Sequence, residues 1–215
     1  MLPEEKGRSM IEMLGVLSII AVLTVIGFYG FSQALAKYRV DKTLAQIQQT
    51  VVRLQTAFVA QSNYSSLGDS LEEVNNVLAN ANIVTKDMFV RDNDGNIKVP
   101  YAYKNIFKGS IQVRVGNKFT DNDRGSFIIH YDSVPRLSCI EIASYAWGKS
   151  SDSGYIATAV NLEIPPELNY NNCQTTPANR EGSALHCFKN QVMLKEAAVR
   201  ACREEKNNTL EFMFY

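Results

Sequence analysis

Lys6-Gly7-Arg8-Ser9-Met10-Ile11-Glu12-Met13-Leu14-Gly15 opens an apolar run that continues to Ala36, and no charged residue stands between Glu12 and Lys37. At 1.5 Å per residue that interval makes a helix of roughly 36 Å, against about 30 Å of bilayer hydrocarbon. The run predicts a membrane span. A secretory signal peptide would have a shorter apolar core behind a basic start, whereas here Glu4 and Glu5 accompany Lys6 and Arg8 and the run is long. A plain signal-anchor helix is the simpler alternative.

Glu12 is the unusual feature. An ionisable side chain costs up to about 3 kcal/mol at the centre of a hydrocarbon segment and calls for a partner. The span holds no balancing charge, so the partner must come from elsewhere. Gly7 stands five residues before Glu12, and a cut after Gly7 would free an α-amino group at Arg8 that is cationic at neutral pH. Its own helix holds that amine a turn away, and a neighbouring copy could offer its amine directly. A carboxylate that snorkels to the interface without a partner is the plain alternative.

A glycine, a glutamate at the fifth place after it and an uncharged apolar helix together resemble the N-terminal segment of type IV prepilins and pseudopilins. The resemblance implies that a prepilin peptidase cuts after Gly7 and methylates the new N-terminus at Arg8, a position where the family usually has phenylalanine or methionine. It also implies that Glu12 pairs with the N-terminal amine of another subunit, identical or related, during assembly. On that pattern the precursor lies in the bacterial inner membrane and the mature chain in an extracellular pilus filament. Major pilin, minor pilin and secretion-system pseudopilin all stay open.

Composition bounds the rest. With 215 residues, 46% hydrophobic and 20% charged, the chain suits one span plus one ordinary globular domain. Lysine plus arginine equals aspartate plus glutamate, and loss of residues 1–7 would remove two glutamates and one lysine and leave about +1. No basic run, aromatic-basic interleaving or phosphate-cradling glycine loop points to nucleic acid.

The predicted order is a leader at 1–7, a transmembrane and assembly helix at 8–36, an amphipathic continuation at 37–61 and a globular head at 62–215. The continuation follows from Val40, Leu44, Ile47, Val51, Leu54 and Phe58, which recur at steps of four and three, with Lys42, Gln46, Gln49 and Arg53 elsewhere around the circumference. The rod would be roughly 53 residues and near 80 Å long. Gly27 and Gly30 interrupt it, either as small residues that allow close helix packing or as a point of local unwinding.

In the head, residues 69–81 read as a short helix capped by Asp69 or Ser70, with Leu71, Val74 and Leu78 inward. Residues 91–96 read as a tight turn; the early glycine and missing closing glutamate set them apart from an EF-hand. Residues 111–115 and 127–131 alternate as strands joined through the 121–125 cluster. His130 falls in the second strand with no obvious acid or nucleophile at hand, as a satisfied sheet residue. Ser133-Val134-Pro135 offers an N-cap and a first-turn proline for a helix with Ile140, Ala143 and Trp147 on its apolar side. Residues 149–154 read as a polar loop, 155–164 as β structure and 165–183 as an irregular loop. Residues 188–204 read as a helix with Leu194, Ala198, Ala201 and Cys202 inward, and 209–215 as a last strand. Strands in a run with helices attached predict an α+β fold, a mostly antiparallel sheet packed against the Val40–Phe58 stripe. A strand leading through Val-Pro into a cysteine-bearing helix, and a cysteine before the final strand, also resemble the type IVb branch of pilins.

Cys139, Cys173, Cys187 and Cys202 all lie in the part predicted to sit outside the cytoplasm, which reads as two disulfides. Four cysteines allow three pairings. The preferred one joins Cys173 with Cys187 and Cys139 with Cys202, because the first closes a loop through irregular chain. Zinc is the competing reading, but no Cys-x-x-Cys pair exists and His186 is merely adjacent to Cys187. No nucleophile elbow, Walker loop or paired-carboxylate motif is present, so no catalytic residue, cofactor or metal is expected. An enzyme anchored by one helix is the alternative class.

Overall fold

The computed structural model describes residues 10–118, 123–147, 154–161 and 193–215. Its elements are α1 (Met10–Ala57), a 3-10 turn (Ser65–Leu67), α2 (Leu71–Asn80), β1 (Tyr103–Lys104), β2 (Ser110–Gly116), β3 (Ser126–Val134), α3 (Arg136–Ala143), β4 (Tyr155–Val160), α4 (Lys195–Ala201) and β5 (Asn208–Phe214). The chain divides into two units, Met1–Tyr38 and Arg39–Tyr215. The second lies within an α+β fold with a five-stranded sheet ordered β1-β2-β3-β5-β4, antiparallel at every pairing.

In the first unit, residues 10–38 are helical and every one of them is exposed. Good helix formers and the absence of proline allow an uninterrupted helix. Its two hydroxyls bond within the helix, Ser18 to the Gly15 carbonyl and Thr24 to the Ile20 carbonyl. Serine and threonine hydroxyls in a helix commonly bond back to a carbonyl three or four residues earlier. Gly27 and Gly30 sit inside the regular helix.

In the second unit, the rest of α1 buries Val40, Thr43, Gln46, Ile47, Thr50, Val51 and Leu54. Val40, Ile47, Val51 and Leu54 join Phe58, and Phe127, Ile129, Tyr131, Leu210, Phe212 and Phe214 from the strands, in one apolar core. Side chains alternate between the two faces of a strand, so these β3 and β5 residues share the face that meets α1. The opposite face is not left polar: Ile128, Ala157, Ala159 and Met213 are also buried.

Several expectations need correction. Gln46, placed away from the stripe, is buried, and Leu44 is only partly so, because the buried arc is wide enough to take in Thr43 and Thr50. The helix ends at Ala57 and gives way to turns through Gln61. Ser70 is the N-cap of α2 and forms a capping box with Glu73, but Leu71, at the first helical position, is exposed. Ser133 does not cap α3. It lies in a bulge of β3 with φ 56°, and Pro135 takes the N-cap position. The bulge is pinned by Asp132, whose carboxylate accepts from the Ser110 amide and hydroxyl. Leu194 is the exposed N-cap of α4, whereas Ala198, Ala201 and Cys202 point inward. Within the described residues that helix is shorter than the predicted 188–204. β1 had no sequence signal; it consists of two residues paired with the start of β2. Most of the 149–154 loop and all of 165–183 fall outside the described residues.

Candidate functional site

Of the three residues singled out for processing and assembly, Gly7 and Arg8 lie outside the described residues, and Glu12 occupies the first turn of α1, exposed. Around it spreads the most extensive apolar surface of the described chain. Ile11, Leu14, Leu17, Ile20, Leu23, Ile26, Phe28 and Phe31 are each more than half exposed. Water-facing proteins seldom carry a contiguous patch above a few hundred square ångströms without a partner or a membrane to cover it. By length and composition this helix can cross a membrane.

The described part of the disulfide framework is one bond. Cys139 of α3 and Cys202, just past α4, are joined across 63 residues of sequence with Cα atoms 6.0 Å apart, and both are buried. This is the pairing preferred on the sequence; Cys173, Cys187 and His186 lie outside the described residues. Hydrogen bonds hold the same region. Arg136 Nε donates to the Cys202 carbonyl, and Asn161 Nδ2 donates to the Ala201 carbonyl and to Asn208 Oδ1.

His130 does have an acid at hand, contrary to the sequence reading. Glu211 sits directly opposite it in the β3-β5 register, with Oε1 3.1 Å from His130 Nδ1. Arg114 Nη2 donates to the same oxygen at 2.7 Å. Burial opposes ionisation of Glu211, but His130 and Arg114 outweigh it and lower the carboxyl pKa. The signal in the sequence was one charge, Glu211, inside the apolar strand Thr-Leu-Glu-Phe-Met-Phe-Tyr. The cluster neutralises a buried carboxylate, and among the described residues no serine or cysteine bonds to His130 to make a nucleophile-base pair. A surface cleft of about 550 Å³ is lined by Gln55, Gln61, Asn63, Lys118 and Asp123 among others, and His130 is not part of its lining.

The amphipathic part of α1 on an antiparallel sheet and the disulfide near the C-terminus lie in the region that matches a known family. The family model described as PilS N terminal matches residues 37–214. The chain belongs to the PilS N-terminal family. In solved structures, this PilS-family chain is similar to a type IV b pilin from Salmonella typhi, with 17% identity, a TM-score of 0.50 and coverage of 79% of this chain and 95% of that one. It is also similar to TcpA, a type IV pilin from Vibrio cholerae El Tor biotype, at 10% identity and TM-score 0.46, covering 81% and 99%. No curated protein matches it in sequence. The PilS-family chain is therefore a type IV pilin-like protein with the type IV pilin fold.

Proposed function

We propose that the protein is the structural subunit of a type IV pilus-like filament, made as a membrane-anchored precursor, cut after Gly7 by a prepilin peptidase and assembled through its N-terminal helix. The observation that carries this reading is the helix of residues 10–38, uncharged from Met13 to Ala36 and wholly exposed, on a chain of a pilin family. Such a surface is stable in lipid before assembly and against other copies of itself afterwards. Residues 8–36 then serve as anchor and assembly helix, 37–61 as the part that seats on the sheet and 62–215 as the head.

Cleavage frees a cationic amine at Arg8, and Glu12 of a neighbouring subunit pairs with it as the helices come together. Buried polar pairs of this kind fix register more than they add stability. The Cys139–Cys202 bond supports an extracellytoplasmic head, since disulfides persist in oxidising compartments.

The test is Glu12→Ala in cells that make the filament. The precursor should still be cleaved and its head folded, while surface filaments fall by at least about tenfold, the loss expected for a pair worth some 1.4 kcal/mol. Filaments of normal number and length would remove the register role of Glu12.

A further inference from the structure

The cleft just past the end of α1 has no part in the assembly reading. It measures about 550 Å³, inside the roughly 300–1,000 Å³ range of small-molecule sites. Three parts of the head meet around it: the turns that follow α1, with Phe58, Gln61, Asn63 and Tyr64; the residues just past β2 and just before β3, with Lys118 and Asp123; and Tyr215 after β5. The turns are pinned, since the Gln61 amide donates to the Phe58 carbonyl and the Tyr64 amide to the Arg124 carbonyl, both at 2.9 Å.

Tyr64 is the residue that asks for a ligand. It is 8% exposed, and its ring packs against Phe58 and Phe127 with centroids 5.4 and 4.9 Å away, yet its hydroxyl bonds to none of the described residues. Buried tyrosines usually find a partner for that group. Burial alone pushes the hydroxyl pKa up, so at neutral pH it is a donor. Two amides join it. Asn63 Oδ1 accepts from the Ser65 amide and Gln61 Oε1 from the Ser66 hydroxyl, which orients both side chains and leaves their nitrogens without a partner among the described residues.

We propose that this cleft binds a neutral sugar ring, held by the Tyr64 hydroxyl and the side-chain amides of Gln61 and Asn63. A sugar offers what these groups lack, hydroxyl oxygens that accept from phenol and amide donors. Its C–H face suits the apolar part of the lining, where Val59 is 81% exposed. The charges argue against an ion. Lys118 Nζ lies 3.1 Å from the centroid of the Tyr215 ring, and Asp123 Oδ1 accepts from the Lys118 and Gly125 amides, so the lining carries one charge of each sign, already engaged. An anion would meet Asp123 and a cation Lys118. A hard metal ion takes six or more oxygens, and the lining has one carboxylate.

The test is saturation-transfer NMR on the full chain in a detergent without a sugar headgroup, with galactose, N-acetylglucosamine and the anionic N-acetylneuraminate as probes. At least one neutral sugar should take up saturation, and the anionic one should not. Tyr64→Phe keeps the ring in the core, and Gln61→Met changes a side chain on the exposed turn. Each should raise the Kd of the neutral sugar about fivefold, the loss of one neutral hydrogen bond, with the melting temperature of Gln61→Met unchanged. Three results overturn the proposal: no transfer to either neutral sugar, affinity unchanged in both variants, which would place the sugar elsewhere, or tighter binding of N-acetylneuraminate than of the neutral sugars.

Discussion

Residues 10–38 and residues 40–57 are both regular helix, yet the first stretch buries nothing and the second buries seven residues. The difference is one of pattern. From Met13 to Ala36 the first stretch carries apolar residues on every side and no charge, so no face is marked for a core, and the surface it offers suits lipid or other copies. The second sets Val40, Ile47, Val51 and Leu54 on one side and Asp41, Gln48, Gln49 and Arg53 on another, which specifies one way to sit on a sheet. Hydrophobicity alone thus does not place a residue in a core; its periodicity does.

The contrast can be broken in the head by opening its covalent link. Cys139→Ser should cost about 4 kcal/mol, the chain-entropy value for a link across 63 residues, read as a lowered midpoint in urea. The first stretch takes no part in that link, so its helicity in detergent should be unchanged by circular dichroism. A paired substitution sharpens the same contrast. Leu54→Ala, in the core, should destabilise the head by about 3 kcal/mol, whereas Leu23→Ala should shift its stability by less than about 0.5 kcal/mol in detergent. Equal losses would mean that the apolar stretch supports the head after all.

The smallest effect lies at the Lys42–Asp87 pair. Burial raises the Asp87 pKa, but the Lys42 ammonium and the Thr85 hydroxyl win and lower it to about 2. A depressed carboxyl stabilises the fold above its unfolded pKa, near 4, and loses that contribution as pH falls toward 2. The Asp87 side chain is 44% exposed, so solvent and salt screen the pair. Lys42→Met should therefore cost about 0.5 kcal/mol at pH 7, less in high salt, and nothing at pH 2.

What the sequence revealed follows from the range of the interactions. The stripe through Ile47 and Leu54, the Ser70 cap and the hairpin strands β2 and β3 rest on neighbours within a few residues, and those were legible. The Arg114–Glu211–His130 cluster was not, because it depends on the register of β5 against β3, set between residues 81 positions apart. Ser133 misled for a similar reason. Its N-cap chemistry was real, but Asp132 holds it in a bulge through a contact with Ser110 on the next strand. Gln46 looked like a surface residue until Asp87, 41 positions away, gave its amide a partner. Glu12 and Gly7 could be read as a spacing, while the chemistry proposed for them needs a second chain.

Intact mass and N-terminal sequencing of subunits from sheared surface filaments test the filament account most directly. The account predicts chains that begin at Arg8, with or without a methyl group on the new amine. A chain that still begins at Met1 and stays in the membrane fraction, absent from any sheared filament, would contradict it.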